Sequence, residues 1–304
     1  MWTNCGTGVL ENMIVDCHTH IWQSPDQLGQ VDLGELPRTK MRAPRISPSG
    51  RTIWRSIPAA DPDHHWAQST AVDKSIVLGF KSRYLRAEIP NHFVADYVKR
   101  NPEKLIGFAG IDPTEPSADA EVRLAYSDLH LRGITVSPGN QDFHPTDTRA
   151  MRVYAACEEL GMPILFHPVG HFTEQSKLEY GRPYLIDEIA RSFPKLRLIV
   201  AQMGQPWVDE TICLLGKHQN VFADVSGLLG RPWQAYNALV NAHQYGVIDK
   251  LLFGSDFPYT SATECIEALY SLNQIAQGTN MPLVPREALR GIVERDTLAL
   301  LGLV

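Results

Sequence analysis

Eight short runs rich in β-branched and other apolar residues recur along the chain, and helix-like segments separate most of them. They are MIVDC (13–17), KSIVLGF (74–80), KLIGFAGID (104–112), LRGITVSP (131–138), PILFHP (163–168), LRLIVAQMG (196–204), NVFADVSG (220–227) and KLLFGSDFP (250–258). Most are apolar without alternation, the pattern of parallel strands covered on both faces. From the second run onward their starts lie roughly 24 to 34 residues apart, the length of a βαβ unit. NHFVADYVKRNP reads as a helix before the third run, and TRAMRVYAACEELG as one before the fifth, closed by Gly161 as C-cap. YLIDEIARSFP, WVDETICLLGKH and WQAYNALVNAHQYG precede the last three runs, and REALRGIVERDTLALLG closes the chain. This rhythm predicts an α/β protein, a closed (β/α)8 TIM barrel. The alternative is an open doubly wound sheet, but no glycine-rich phosphate fingerprint follows the first strand.

One stretch breaks the rhythm. Residues 23–71, rich in Pro, Arg and Ser, are too long for a plain βα connection. They are expected to form a lid-like insertion over the barrel mouth after strand one, held by Trp54 and Trp66. Residues 1–304 are read as a single domain, with 1–12 as an N-terminal tail. The composition, 44% apolar and 20% charged, is that of a soluble globular protein. A net charge of −6 argues against nucleic acid or an anionic membrane as partner. No apolar run approaches the roughly 18 residues of a membrane helix. Five cysteines, without paired spacing, read as reduced thiols of a cytoplasmic protein. The start, MWTNCGTGVLENM, has neither the basic opening nor the long apolar core of a signal peptide.

In such a barrel the chemistry sits at the carboxyl ends of the strands. The first run ends Asp16-Cys17-His18-Thr19-His20, and side-chain alternation puts His18 and His20 on one face. An H-x-H pair alone is weak evidence. The fifth run, however, ends at His167 and the eighth at Asp256. Strands one and eight are neighbours in a closed barrel, and strand five faces them across the mouth. Three neutral imidazoles and one carboxylate suit one divalent transition ion such as zinc. Near them, Trp22 is a candidate pocket wall, and Arg231, after strand seven, could clamp a substrate carboxylate. Asp112 and Asp224 read as residues that satisfy loop N–H groups.

The D-x-H-x-H of strand one, the strand-five histidine and the G-S-D-x-P of strand eight resemble the amidohydrolase superfamily. IPNHFVADYVKRNPEKLIGFAGIDP, GQPWVDETICLLGKHQNVFADVSG and KLLFGSDFP resemble its amidohydrolase-related (amidohydrolase 2) branch of hydrolases and decarboxylases. The resemblance implies a metal-dependent barrel enzyme with His18, His20, His167 and Asp256 as ligands. It also implies that Asp256 handles the proton of the reacting water. That branch usually carries a histidine near the top of strand six, where this chain has Ala201-Gln202-Met203-Gly204, followed by Gln205. A glutamine amide forms hydrogen bonds but exchanges no proton near neutral pH. Strand four carries no lysine to bridge a second metal, so one ion is expected.

The residues and the resemblance together predict a single-metal hydrolase of a small carboxylate, lactone or amide compound, with Asp256 as base and Gln202 at the catalytic position of strand six. The alternatives are a nonoxidative decarboxylase or hydratase of the same family, or a metal-binding barrel without turnover. His171, in the loop after strand five, is a candidate for the missing base and for substrate contact. His144 is a weaker candidate, and His64 and His65 are weaker still. A homodimer is the expected assembly.

Overall fold

Each of the eight runs forms a strand in the computed structural model, which describes residues 13–29, 58–168 and 175–303. We label them β1 (Val15–His20), β2 (Lys74–Leu78), β3 (Leu105–Gly110), β4 (Gly133–Val136), β5 (Ile164–Phe166), β6 (Leu198–Val200), β7 (Val221–Asp224) and β8 (Leu251–Leu252). They pair in chain order as one eight-stranded sheet, and every pairing is parallel. The ring is closed by main-chain bonds between β1 and the segment that follows β8. Cys17 N–H donates to Phe253 O at 3.0 Å, Asp256 N–H to His18 O at 3.0 Å and His20 N–H to Phe257 O at 2.9 Å.

A helix follows each strand: α1 (Pro62–Gln68), α2 (Asn91–Val98), α3 (Ala118–Ser127), α4 (Thr148–Leu160), α5 (Ile186–Ser192), α6 (Val208–Lys217), α7 (Pro232–Gln244) and α8 (Ala262–Tyr270). The apolar faces of these helices and the outward residues of the strands form the main core. A second cluster takes residues from most strands (Val15 and Cys17, Ile76 and Leu78, Phe108, Leu165, Ile199, Phe222, Leu252) and fills the barrel interior. Leu298 and Leu301 of the last helix, α10 (Thr297–Leu301), join that cluster; α9 is Arg286–Val293. The strands read as continuous apolar runs because they touch one of these two cores on each face. The rhythm in the sequence thus corresponds to a barrel and not to the open sheet.

Two elements differ from the sequence expectation. The last part of the 23–71 stretch is α1 itself, the ordinary helix that follows a barrel strand. Its N-cap, Asp61, accepts the His64 N–H at 3.0 Å. Its buried side is carried by a histidine, His65, so no apolar periodicity announces it. Residues 30–57, which include Trp54, lie outside the described residues, so the lid expectation falls mostly there. Trp66 is 42% exposed, with Lys104 Nζ 5.5 Å from its ring centre. The second difference is a bulge in β1. Its register against β2 shifts between Asp16 and Thr19. Strict alternation from the inward Val15 and Cys17 would turn His18 and His20 away from the interior. The extra residue reverses the parity, so both histidines point to the mouth and Thr19 points outward.

Candidate metal centre

The bulge sets His18 and His20 side by side, with their Nε2 atoms 3.1 Å apart. His167, one residue past the end of β5, brings its ring within 4.9 Å of the His18 ring and 5.4 Å of the His20 ring, centre to centre. One nitrogen from each of the three rings falls within 4.8 Å of the others. Asp256 stands beside the group: its Oδ1 lies 3.6 Å from His18 Nε2 and 3.9 Å from His20 Nε2. Two ligand atoms about 2.1 Å from one ion at a tetrahedral angle stand about 3.4 Å apart. The separations bracket that value, and the three histidines could hold one metal ion with Asp256 beside them. His171 lies outside the described residues.

The close approach of β8 to β1 depends on Gly254, where a Cβ would lie 2.8 Å from the Cβ of His18. Asp16, fully buried, ties the same strands together: its Oδ1 accepts the N–H groups of Ser255 at 2.9 Å and His18 at 3.2 Å. Burial pushes its carboxyl up to about 6, against the lowering effect of those hydrogen bonds. Two of the converging groups sit in left-handed backbone, Asp256 with φ +64° and Gln202 with φ +54°. Such conformations are costly for non-glycine residues and persist where the surroundings enforce them. At Asp256 the enforcement is the bond from its N–H to His18 O.

Gln202 is enforced by Asp224. The Asp224 Oδ1 accepts the Gln202 N–H at 3.0 Å and the Ser226 N–H at 3.0 Å, as well as the Ser226 hydroxyl. Its Oδ2 meets His18 Nδ1 at 3.0 Å. Burial opposes ionisation of Asp224, yet the His18 partnership and the other donors outweigh it and hold the carboxyl below the usual carboxylate range. Burial likewise opposes protonation of His18, and the adjacent Asp224 overcomes it, raising that imidazole. A carboxylate on Nδ1 fixes the ring and turns Nε2 toward His20 and Asp256. From sequence alone, Asp224 is expected to serve loop N–H groups. The Ser226 bonds fit that, but the His18 contact reaches past β8 to β1 and no local signal marks it.

Gln202 then reaches over the mouth, its Nε2–H donating to Asp256 Oδ2 at 3.3 Å. Gly227, with φ +66°, leaves the space for this contact, since a Cβ there would lie 2.9 Å from Gln202 Nε2 and 3.3 Å from Asp256 Oδ2. The remaining candidates stand apart. Trp22 is buried, donates its indole N–H to Pro58 O at 3.2 Å and packs near Tyr259. Arg231 is exposed and donates to Gln205 Oε1 at 2.9 Å. His144 is exposed against Tyr180, and Asp112 is spent on the N–H groups of Arg83 and Thr114.

The eight-stranded parallel barrel with histidines and a carboxylate converging at its mouth is a TIM barrel with a candidate metal centre. The chain belongs to the amidohydrolase family (Amidohydro_2), whose model matches residues 15–302. Its solved structural neighbours have the same fold. One is an uncharacterised TIM-barrel protein from Bordetella bronchiseptica, with TM-score 0.67 and 20% identity, covering 95% of this chain and 99% of that one. Another is a probable 2-pyrone-4,6-dicarboxylic acid hydrolase from Acinetobacter baumannii with citric acid bound (TM-score 0.65, 14% identity, 95% and 99% covered). A third is a dihydroxybenzoic acid decarboxylase from Polaromonas sp. with bound manganese and 2-nitroresorcinol (TM-score 0.63, 14% identity, 96% and 97% covered). No functionally curated protein matches the chain. No helix among the described residues is long and apolar enough to cross a membrane.

Proposed function

We propose that this chain is a single-metal hydrolase of a small carboxylated, lactone or amide compound. The observation that carries the reading is the division of labour at Asp256. Its Oδ1 faces the two Nε2 atoms of β1, while its Oδ2 accepts a hydrogen bond from Gln202. His18, His20, His167 and Asp256 would hold the ion, which when bound supplies Lewis-acid polarisation of the substrate and local positive charge. Asp256 takes the proton of the attacking water and delivers it to the leaving group. Asp224 cannot share that task, being committed to His18, Gln202 and Ser226. Gln202 orients Asp256 and stays silent to protons. Three neutral imidazoles, one carboxylate and a divalent ion leave about one positive charge, which favours an anionic substrate. The same donors accept zinc or manganese.

Nonoxidative decarboxylation is the second reading, drawn from neighbours such as the manganese-bound dihydroxybenzoic acid decarboxylase. It requires a proton donor for carbon, and Asp256 would have to serve alone because the Gln202 amide is no general acid near neutral pH. The test starts with metal analysis of protein purified without added metal, followed by a panel of lactones, amides and aromatic carboxylates. Stoichiometric metal with acid release from a lactone or amide supports hydrolysis. Release of CO2 instead selects the decarboxylase, and bound metal without any turnover selects a degenerate barrel. Replacement Gln202→His is expected to raise the rate with metal content unchanged, within the roughly 10²–10⁴ that general acid–base catalysis supplies. If His167→Ala left metal content and turnover intact, the assigned centre would be wrong.

A further inference from the structure

His65 lies on α1, outside the barrel, and is 1% exposed. Its Nε2 lies 2.9 Å from Thr19 Oγ1 and its Nδ1 lies 2.7 Å from the hydroxyl of Tyr97 on α2. Thr19 Oγ1–H donates to Ile76 O at 2.7 Å. With its proton so used, the Thr19 hydroxyl can only accept from His65, so Nε2 carries the imidazole proton. Nδ1 is then bare and accepts from Tyr97 O–H. The result is a one-way relay, Tyr97 to His65 to Thr19 to the β2 backbone. The His65 ring also meets the Phe257 ring edge-on, with centres 5.1 Å apart.

The two ends of this contact are special in the chain. Thr19 stands between His18 and His20, immediately past the bulge where β1 slips against β2. Phe257 follows Asp256, and Thr19 and Phe257 form a parallel bridge. From behind, one imidazole therefore grips the backbone that carries three of the four groups at the mouth. A leucine or phenylalanine would fill the same volume without burying two polar atoms. What histidine adds is direction: it fixes the Thr19 side chain where the ladder has slipped and gives less support.

We infer that His65, with Thr19 and Tyr97, is a positioning residue of the metal centre, holding β1 and the end of β8 in register from the outer face of the barrel. The inference rests on the proposed metal centre and adds a role that the ligands themselves do not reveal. Its test is Co²⁺ titration of metal-free protein, read by affinity and by the visible absorption of the bound ion, alongside thermal denaturation. Replacements His65→Phe and Thr19→Val should each weaken Co²⁺ binding by about 10-fold, the low end for partners that orient ligands, and should shift the spectrum. The double variant should lose little more than either single one, because both break the same relay. His65→Gln, which can donate to Thr19 and accept from Tyr97, should recover part of the affinity.

If His65→Phe does not fold, Thr19→Val and Tyr97→Phe decide the question, since the first exchanges a hydroxyl for a methyl, the second deletes one, and both leave the imidazole in place. Spectra and affinities that coincide with those of the parent protein, with a lowered melting temperature alone, would reduce His65 to packing and overturn the inference. A parent protein that takes up no Co²⁺ would instead overturn the metal centre, and the inference with it.

Discussion

In the proposed metal centre, the orientation of a single imidazole governs how well the mouth of this barrel can collect an ion. His18 is fully buried, and its ring is set by one carboxylate, Asp224, that comes from another strand. Asp224→Asn preserves the shape but removes the charge that turns the ring. It should weaken metal affinity by about 10- to 100-fold while the fold persists, as measured by calorimetric titration beside circular dichroism. His65 offers a separate prediction through pH. Burial first, then the nearby Lys104 and His64, lower its imidazole to about 4 from an ordinary value of 6.5. Between those values the unfolded chain binds the proton and the folded one does not, so this histidine's contribution is fully present above about pH 6.5 and declines as the pH falls toward 4. The destabilisation caused by His65→Phe should therefore be about 2 kcal/mol larger at pH 7.5 than at pH 5, read from urea unfolding at the two values. That His18, His20, His167 and Asp256 gather was legible, because each closes an apolar run and strand ends meet at the mouth of a barrel. Asp224 and His65 were not legible in their contacts: the partners of His65, Thr19 and Tyr97, are 46 and 32 positions away, and His65 itself reads as a polar residue on a short helix.

At the level of elements, local pattern foretold the strands well and the helices unevenly. α4 was plain from its periodicity and from Gly161, whose φ of +69° matches the C-cap expected of it. α3 and α8 went unread, although α8 begins with a full capping box between Ser261 and Glu264. α3 carries charged residues on much of its surface and buries only Ala118, Val122 and Ala125. The bulge in β1 left no trace in the sequence at all, since it is a relation between two strands. Glycines divide in the same way. Gly254→Ala should push β8 from His18, costing about 1–3 kcal/mol as an overpacked contact, and should also weaken metal binding. Gly161→Ala meets nothing within 4 Å and should cost about 1 kcal/mol through its left-handed backbone, leaving metal binding unchanged. Thermal denaturation and Co²⁺ titration of the two variants separate these outcomes.

For the whole molecule, the regular spacing of runs made the barrel legible, because each βαβ unit needs about the same length of chain to cross the sheet and return. At the end of the 23–71 stretch composition hid a helix, since a histidine serves as the buried anchor of α1 where a leucine would have signalled one. An ion that binds only the folded barrel stabilises it by about 4 kcal/mol at 1,000 times its dissociation constant. Chelation should therefore lower the unfolding midpoint in urea, and restored metal should return it. The seam between β1 and β8 adds a temporal consequence. During synthesis His18 and His20 leave the ribosome well before Asp256. A nascent chain that has not yet laid Leu251–Asp256 against its own beginning has no fourth wall to the cage. In the proposed centre, capture of the ion should thus wait until that segment is made and docked, so that a loaded protein certifies a closed ring.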